Sequence, residues 1–508
     1  MRIVVLAVGS ALAFAQPVMA RAAKPTKADI AAAAAAAIAA FAQTETQIAT
    51  IARLDDDPAG PQLNAVIAVN PDAPELAARL AKVGRLHGRT LLIKDNIETR
   101  EFATTAGSLA LADNRTGRDA PLVARLRGDG GVILGKTNLS EWANIRSSAS
   151  SSGWSGVGGQ TKNPYATDRN PCGSSSGSGA AVAAGMAWAA IGTETDGSIT
   201  CPASMNGIVG FKPTVGLVSR TFVVPISHSQ DTPGPMTRSV ADAALVLSVI
   251  AGSDPKDPAT VQADQRRLDY TAGLAAASLK GVRIGVLRKQ TGKHPGVGRL
   301  FSAALADLAA AGAVLVPVDY DFPDALGNDE GVVLYTELRE EMGAYLAALP
   351  GKVPVRSLAD VIAWNTAHPG AELRWFGQDS FEKADKMTDH AAYLKARANS
   401  LRLAGAEGID ALLAKNDVSV LIAPTEGPAW AIDLVNGDHF SSVGAGTLAA
   451  VAGYPHLTVP MGQVEGLPVG LSFIGPQWSD ALMLRLGAAY ERARTAVLAR
   501  PSFKRWGE

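Results

Sequence analysis

The chain has 508 residues, 47% of them hydrophobic and 19% charged, with a formal net charge of −1 at pH 7. This is the composition of a large globular enzyme with apolar material for a sizeable core, and near-zero charge gives no reason to expect nucleic acid as a partner. Length alone suggests roughly three domains, a prior that single large α/β folds often override.

At the start, Arg2 precedes an apolar run from Ile3 to Ala15, followed by the small-x-small pattern Val18-Met19-Ala20. That order is the signature of a secretory signal peptide, and the run is shorter than the ~20 residues a membrane span needs. Residues 1–20 are expected to be removed after Ala20. The mature protein, 21–508, is expected to be periplasmic or secreted and free of the membrane.

Thr26 with Asp29 can cap a helix through the Ala31–Ala37 run, packed on the outside of the domain. Next come a strand in LNAVIAV (63–69), a helix in PELAARLAKV (74–83) and a strand in TLLI (90–93) before Lys94. PLVARLRGDG (121–130) reads as helix and GVILGKT (131–137) as strand. Such alternation predicts an α/β fold with a mixed or parallel sheet. A long loop spans residues 147–171; loops of that length inside a domain are usually functional or disordered, and its Trp154 and Tyr165 speak against disorder. The apolar, Ala-rich residues 176–191 read as a buried helix. GSDPKDPATVQ (252–262) is the best linker candidate. Beyond it, residues 281–287, 313–318 and 418–424 read as strands, and ELREEMGAYLAAL (337–349) as a solvated helix. With no internal repeat, one large domain is expected, its later part shaping the rim of a cleft.

Two stretches stand out, PCGSSSGSGAAVAAG (171–185) and GTETDGSITCPAS (192–204). GSSSG matches a nucleophile-elbow pattern centred on Ser175, but that motif needs a strand before it and the preceding NPYATDRNPC is turn-like. Neither stretch fits a phosphate-binding glycine loop, and the seven histidines show no metal-ligand spacing, so no cofactor and no metal are expected. Cys172 and Cys201 flank these stretches. Two cysteines are not a disulfide framework, and a bridge or two separate thiols both remain open. What remains is a serine hydrolase driven by Lys94, which ends an apolar strand that would carry its side chain toward the interior; taken alone, a surface lysine at a strand end is the more ordinary reading.

LLIKDNIET, GKTNLSEW, CGSSSGSGAAVAAG and GTETDGSITCPAS, in this order, resemble the amidase signature family over residues 85–250. Weaker likenesses appear in GYPHLTVPMG and LPVGLSFIGP. Within the family, GQTKNPY, CGSSSGS, TETDGSI and PISHSQDTPGPM are most similar to the bacterial peptide amidases. The resemblance implies one large domain whose central mixed sheet has helices on both faces.

It also implies a Ser–cisSer–Lys triad: Ser198 as nucleophile, Ser174 (at a cis peptide) as proton bridge and Lys94 as base. A hydroxyl is too weak to attack an amide unaided, so Lys94 must be neutral, roughly three units below the ordinary lysine pKa of ~10.4. The N–H groups of Thr195, Asp196, Gly197 and Ser198 are expected to form the oxyanion hole. Many members carry TGGSIR where this chain has Asp196 for a glycine and Thr200 for an arginine, which leaves substrate class more open. Ser147, Ser148 and Trp154 are expected to line the acyl pocket, with a plain surface loop as the alternative. Lys136 and Glu141 are expected to be structural, and Asp231 to brace the loop around Ser229.

The expected substrate is a C-terminal carboxamide of a peptide or amino-acid derivative, with release of ammonia. A broad aryl or aliphatic amidase with the same triad is the alternative, and a non-catalytic exported binding protein a more distant one. An amidotransferase subunit is disfavoured, because an exported chain does not meet aminoacyl-tRNA.

Overall fold

Eleven strands share one mixed sheet in the computed structural model, which describes residues 26–508. The expected leader and its cleavage after Ala20 lie outside the described residues. The first half of the chain supplies β1 (Val66–Val69), β2 (Thr90–Lys94), β3 (Val132–Thr137), β6 (Ala189–Glu194), β7 (Val209–Lys212) and β8 (Thr232–Thr237). A separate hairpin, β4 (Trp154–Ser155) with β5 (Gly159–Gln160), lies in the long loop. The second half adds β9 (Arg283–Val286), β10 (Val314–Pro317), β11 (Val420–Pro424), β12 (His456–Val464) and β13 (Leu467–Ile474). In space the order is β1-β3-β2-β6-β8-β7-β12-β13-β11-β9-β10. β2 runs parallel to both β3 and β6, and β8 returns antiparallel.

Period-two alternation divides the sheet's side chains between two cores. Leu91, Ile93, Ile133 and Ile191 pack with Leu122 and Leu126 of α3 (Pro121–Gly128) and Val246 and Leu247 of α6 (Val240–Ile250). Leu92, Val132, Leu134 and Ala190 face the other way, against Ala73 and Ala77 of α2 (Ala73–Leu80) and Ala180 and Ala181 of α4 (Ser176–Ala183). Helices therefore cover both faces, as the resemblance implies. Across the expected linker the sheet is continuous. Residues 252–262 are a pinned turn, with Ser219 donating to Asp254 at 2.6 Å and Arg220 paired to Asp257 at 2.6 Å.

α1 (Lys27–Ile51) begins with the expected cap: Asp29 N donates to Thr26 Oγ1 at 3.1 Å, and Thr26 N donates to the Asp29 carboxylate at 2.8 Å. It lies over α2, leaving Ile30 and Ile38 exposed. Among the described residues no helix is long and apolar enough to cross a membrane.

Two sequence expectations are corrected. Residues 176–191 are not one helix: α4 stops at Ala183, Gly185 takes a φ of 76°, and the chain turns directly into β6. Periodicity does not separate a short buried strand from a buried helix, and pairing with β2 and β8 overrides the helix propensity of alanine here. The helix Asp324–Ala347 is not a solvated one either. Leu338, Met342 and Leu346 join a core with Trp142 and Phe381, and the carboxylate of Glu337 is fully buried, accepting from Ser229 and Tyr393.

Candidate active site

β2 delivers Lys94 into the interior at its C-terminal end. Its Nζ is buried, 2.8 Å from Ser174 Oγ, 2.8 Å from Thr193 Oγ1 and 3.2 Å from the Thr193 carbonyl oxygen. Asn96 Nδ2 donates to that Thr193 hydroxyl at 3.0 Å and fixes its orientation. All three oxygens around the amine are uncharged. Burial therefore dominates and pulls Lys94 down to about 7, with the charges of Asp231 and Glu194 opposing from further off.

Ser174 lies in the loop that enters α4, after a cis peptide bond from Gly173. A Cβ on Gly173 would come 2.1 Å from Ser140 Oγ and would displace that hydroxyl from its hydrogen bond with Gly153 N. The Ser174 carbonyl accepts from Ser140 N at 3.1 Å, and Ser175 N donates to the Ser198 carbonyl at 3.1 Å, which ties the two serine loops together. The hydroxyl of Ser175, centre of the GSSSG pattern, is engaged by the Thr193 backbone at 3.1 and 3.2 Å. That serine is structural.

Ser198 sits between β6 and the short helix α5 (Thr200–Met205). The buried carboxylate of Glu194 accepts from Ile199 N at 2.8 Å and Thr200 N at 2.9 Å, bracing the bend from inside. Asp231 braces it from the other side, accepting from Thr195 Oγ1 at 2.6 Å and from Ile226 N and Ser227 N at 2.8 and 2.9 Å. Gly197 has a φ of 75°, with nothing within 4 Å of where a Cβ would sit. Backbone conformation, not crowding, demands glycine at this position. The N–H groups of Asp196, Gly197 and Ser198 and the Ser198 hydroxyl make no hydrogen bond to the described residues. They border a cavity of about 450 Å³. A disulfide joins Cys172 to Cys201, with Cα atoms 6.0 Å apart, and so cross-links the two loops.

Ser147, Ser148 and Trp154 do not border this cavity. The hydroxyls of Ser147 and Ser148 each donate to the Asp379 carboxylate at 2.6 Å, and Trp154 is buried edge-on against Phe376. Asp379 opens a helix of the second half and draws the loop to it, so the acyl-pocket expectation is corrected. Asn144 and Ile145 border the cavity instead, with Glu426, Phe440 and Thr447 from far along the chain. Lys136 pairs with Asp95 at 2.7 Å and Glu141 with Arg146 at 3.3 Å, both structural as expected. Sequence reasoning missed Thr193 and Glu194, although both stand inside the GTETDGS stretch. It had no signal for Glu426, which follows a strand remote from every motif.

The model of the family "Amidase" matches residues 49–484. A probable amidase of Arabidopsis thaliana is 38% identical over 463 residues, covering 87% of this chain and 85% of that protein. Among solved structures, native peptide amidase from Stenotrophomonas maltophilia is 49% identical with a TM-score of 0.87, covering 94% of this chain and 98% of that one. An amidase family protein from Bacillus anthracis is 33% identical with a TM-score of 0.81, covering 91% and 89%.

Proposed function

Because the chain belongs to the amidase family, and its fold matches peptide amidase closely, we propose that it hydrolyses C-terminal carboxamides of peptides or amino-acid amides through an acyl-Ser198 intermediate. The observation that carries this reading is the buried Lys94 amine, 2.8 Å from the Ser174 hydroxyl and surrounded by uncharged oxygens.

Neutral Lys94 accepts the Ser174 proton while Ser174 Oγ accepts that of Ser198. Ser198 Oγ then bonds to the amide carbon. Negative charge develops on the carbonyl oxygen, which the N–H groups of Thr195, Asp196, Gly197 and Ser198 are assigned to stabilise; those of Asp196, Gly197 and Ser198 are unpaired among the described residues and border the cavity. A single donor of this kind is worth ~100- to 1000-fold in rate. Collapse breaks the C–N bond, and the relay returns its proton to the departing nitrogen, which leaves as ammonia. Water then attacks the ester, giving its proton to the same relay, and the C–O bond to Ser198 breaks to release the free acid. Ser198 Oγ and Ser174 Oγ share no hydrogen bond in the substrate-free structure, and the relay requires that contact to form with substrate bound, as catalytic contacts often do.

The reading includes export. The Cys172–Cys201 disulfide supports it, because such bonds persist in oxidising compartments.

Ammonia release from amidated peptides, beside free-acid and anilide controls, tests the reaction. Ser198→Ala is expected to abolish it and to abolish labelling by a fluorophosphonate. Release of aniline in preference to ammonia would favour the aryl amidase alternative, and an active Ser198→Ala protein would overturn the mechanism.

A further inference from the structure

The cavity beside Ser198 carries a charge pattern that the proton relay does not use. Among the described residues two carboxylates border it, Asp196 and Glu426, and no lysine, arginine or histidine does. They come from separate elements, the β6–α5 bend and the segment after β11, so they are not one solvated acidic run. Asp196 uses only Oδ2, accepting from Thr447 Oγ1 at 2.8 Å. Glu426 uses only Oε1, accepting from Gly427 N at 2.7 Å and from the Ser441 hydroxyl. Among the described residues the second oxygen of each has no hydrogen-bond partner, and it is not sealed in the interior.

An aromatic face accompanies them. Phe440, next to Ser441, borders the same cavity and is held edge-on against Trp430 at 4.8 Å. Carboxylates and an aromatic ring lining one cavity are a combination that attracts cations. Burial pushes Glu426 up to about 7 against its hydrogen bonds from Ser441 and Gly427, and burial pushes Asp196 up to about 6, with the Glu194 charge adding and the Thr447 hydrogen bond and the Lys212 charge opposing. Glu330, behind Asp196, supplies no counter-charge: burial and then the Asp196 charge hold it up near 8.

We propose that Asp196, Glu426 and Phe440 make this cavity selective for amides whose acyl portion carries an ammonium or guanidinium group. The inference rests on the amide-hydrolase reading of Ser198 and names its substrate class. Glu426 is the specificity-determining residue to test, since Asp196 also shapes the nucleophile bend.

The test is kcat/KM for ammonia release at a pH above 8, where both acids are ionised. The probes are N-acetyl-argininamide, N-acetyl-norleucinamide, the α-amide of N-acetylglutamic acid, and norleucinamide bearing a trimethylated α-ammonium. The first and last separate a side-chain cation from one at the α-position. At least one cationic probe is expected to exceed the neutral one by about tenfold or more, and the anionic probe to fall below it by a similar factor. Glu426→Gln is expected to bring the cationic-to-neutral ratio to within about threefold. In the unsubstituted protein the same ratio is expected to shrink with added salt, which keeps the proposal testable should the variant misfold. Equal turnover of cationic and neutral probes, or a ratio unmoved in Glu426→Gln, overturns the charge selection and leaves amide hydrolysis standing. No ammonia from any probe overturns both.

Discussion

Lys94 and Lys136 end neighbouring parallel strands, both fully buried, yet they are held in opposite chemical conditions. A bulge in the β2–β3 pairing sets Lys94 beside Thr137, toward α4, and turns Lys136, beside Ile93, to the opposite face. There Lys136 meets the Asp95 carboxylate at 2.7 Å, with the Ile97 carbonyl at 2.9 Å and Thr104 Oγ1 at 3.0 Å. Lys94 meets only hydroxyls and a carbonyl. Burial lowers the pKa of both, but at Lys136 the charge of Asp95 opposes it. Burial beside uncharged oxygens favours a neutral amine, whereas burial beside a carboxylate favours a structural ion pair.

The largest effect that could break this contrast is in turnover. Lys94→Met is expected to cut kcat for amide hydrolysis by about 10⁴-fold or more, with a thermal midpoint close to that of the parent, since no buried charge is stranded. Lys136→Met should do the reverse, leaving Asp95 buried and unpaired. Urea titration is expected to register a loss of about 3–5 kcal/mol, and adding Asp95→Leu to restore much of it.

A smaller loss is expected on removing the cross-link between the two serine loops. Cys172→Ser with Cys201→Ser should cost about 2–4 kcal/mol in the same titration. A midpoint unchanged from the parent would mean that the loops are held without the bridge.

The smallest effect is graded with pH. Burial holds Lys94 down to about 7, and in the proposed mechanism this lysine works only when neutral, so kcat/KM is expected to rise with pH up to about 7 and level off above it. Well below that, each pH unit should cost about tenfold, or about 1.4 kcal/mol. A neutral amide should be used, because Asp196 and Glu426 titrate in the same range. Full activity at pH 4 would remove the lysine from the mechanism.

Much of this architecture is legible in the chain itself. The alternation TLLI, PLVARLRGDG, GVILGKT announces β2, α3 and β3, and the quoted motifs bring Lys94, Ser174 and Ser198 into view together. The exceptions have a common cause. Residues 189–191 form a strand where an apolar helix is expected, and Glu337 is buried where solvent is expected. In both cases the neighbours that decide the outcome are distant in sequence.

Local pattern settled which residues could react, because strand period, glycine bends and helix caps depend on near neighbours. Packing alone decided how they stand. It placed Asp379 where it draws Ser147 and Ser148 away from the cavity, and brought Glu426 and Phe440 to face Ser198. It also set a carboxylate beside one buried lysine and none beside the other. Those outcomes depend on long-range contacts and on the electrostatics of desolvation, which no short window of sequence encodes.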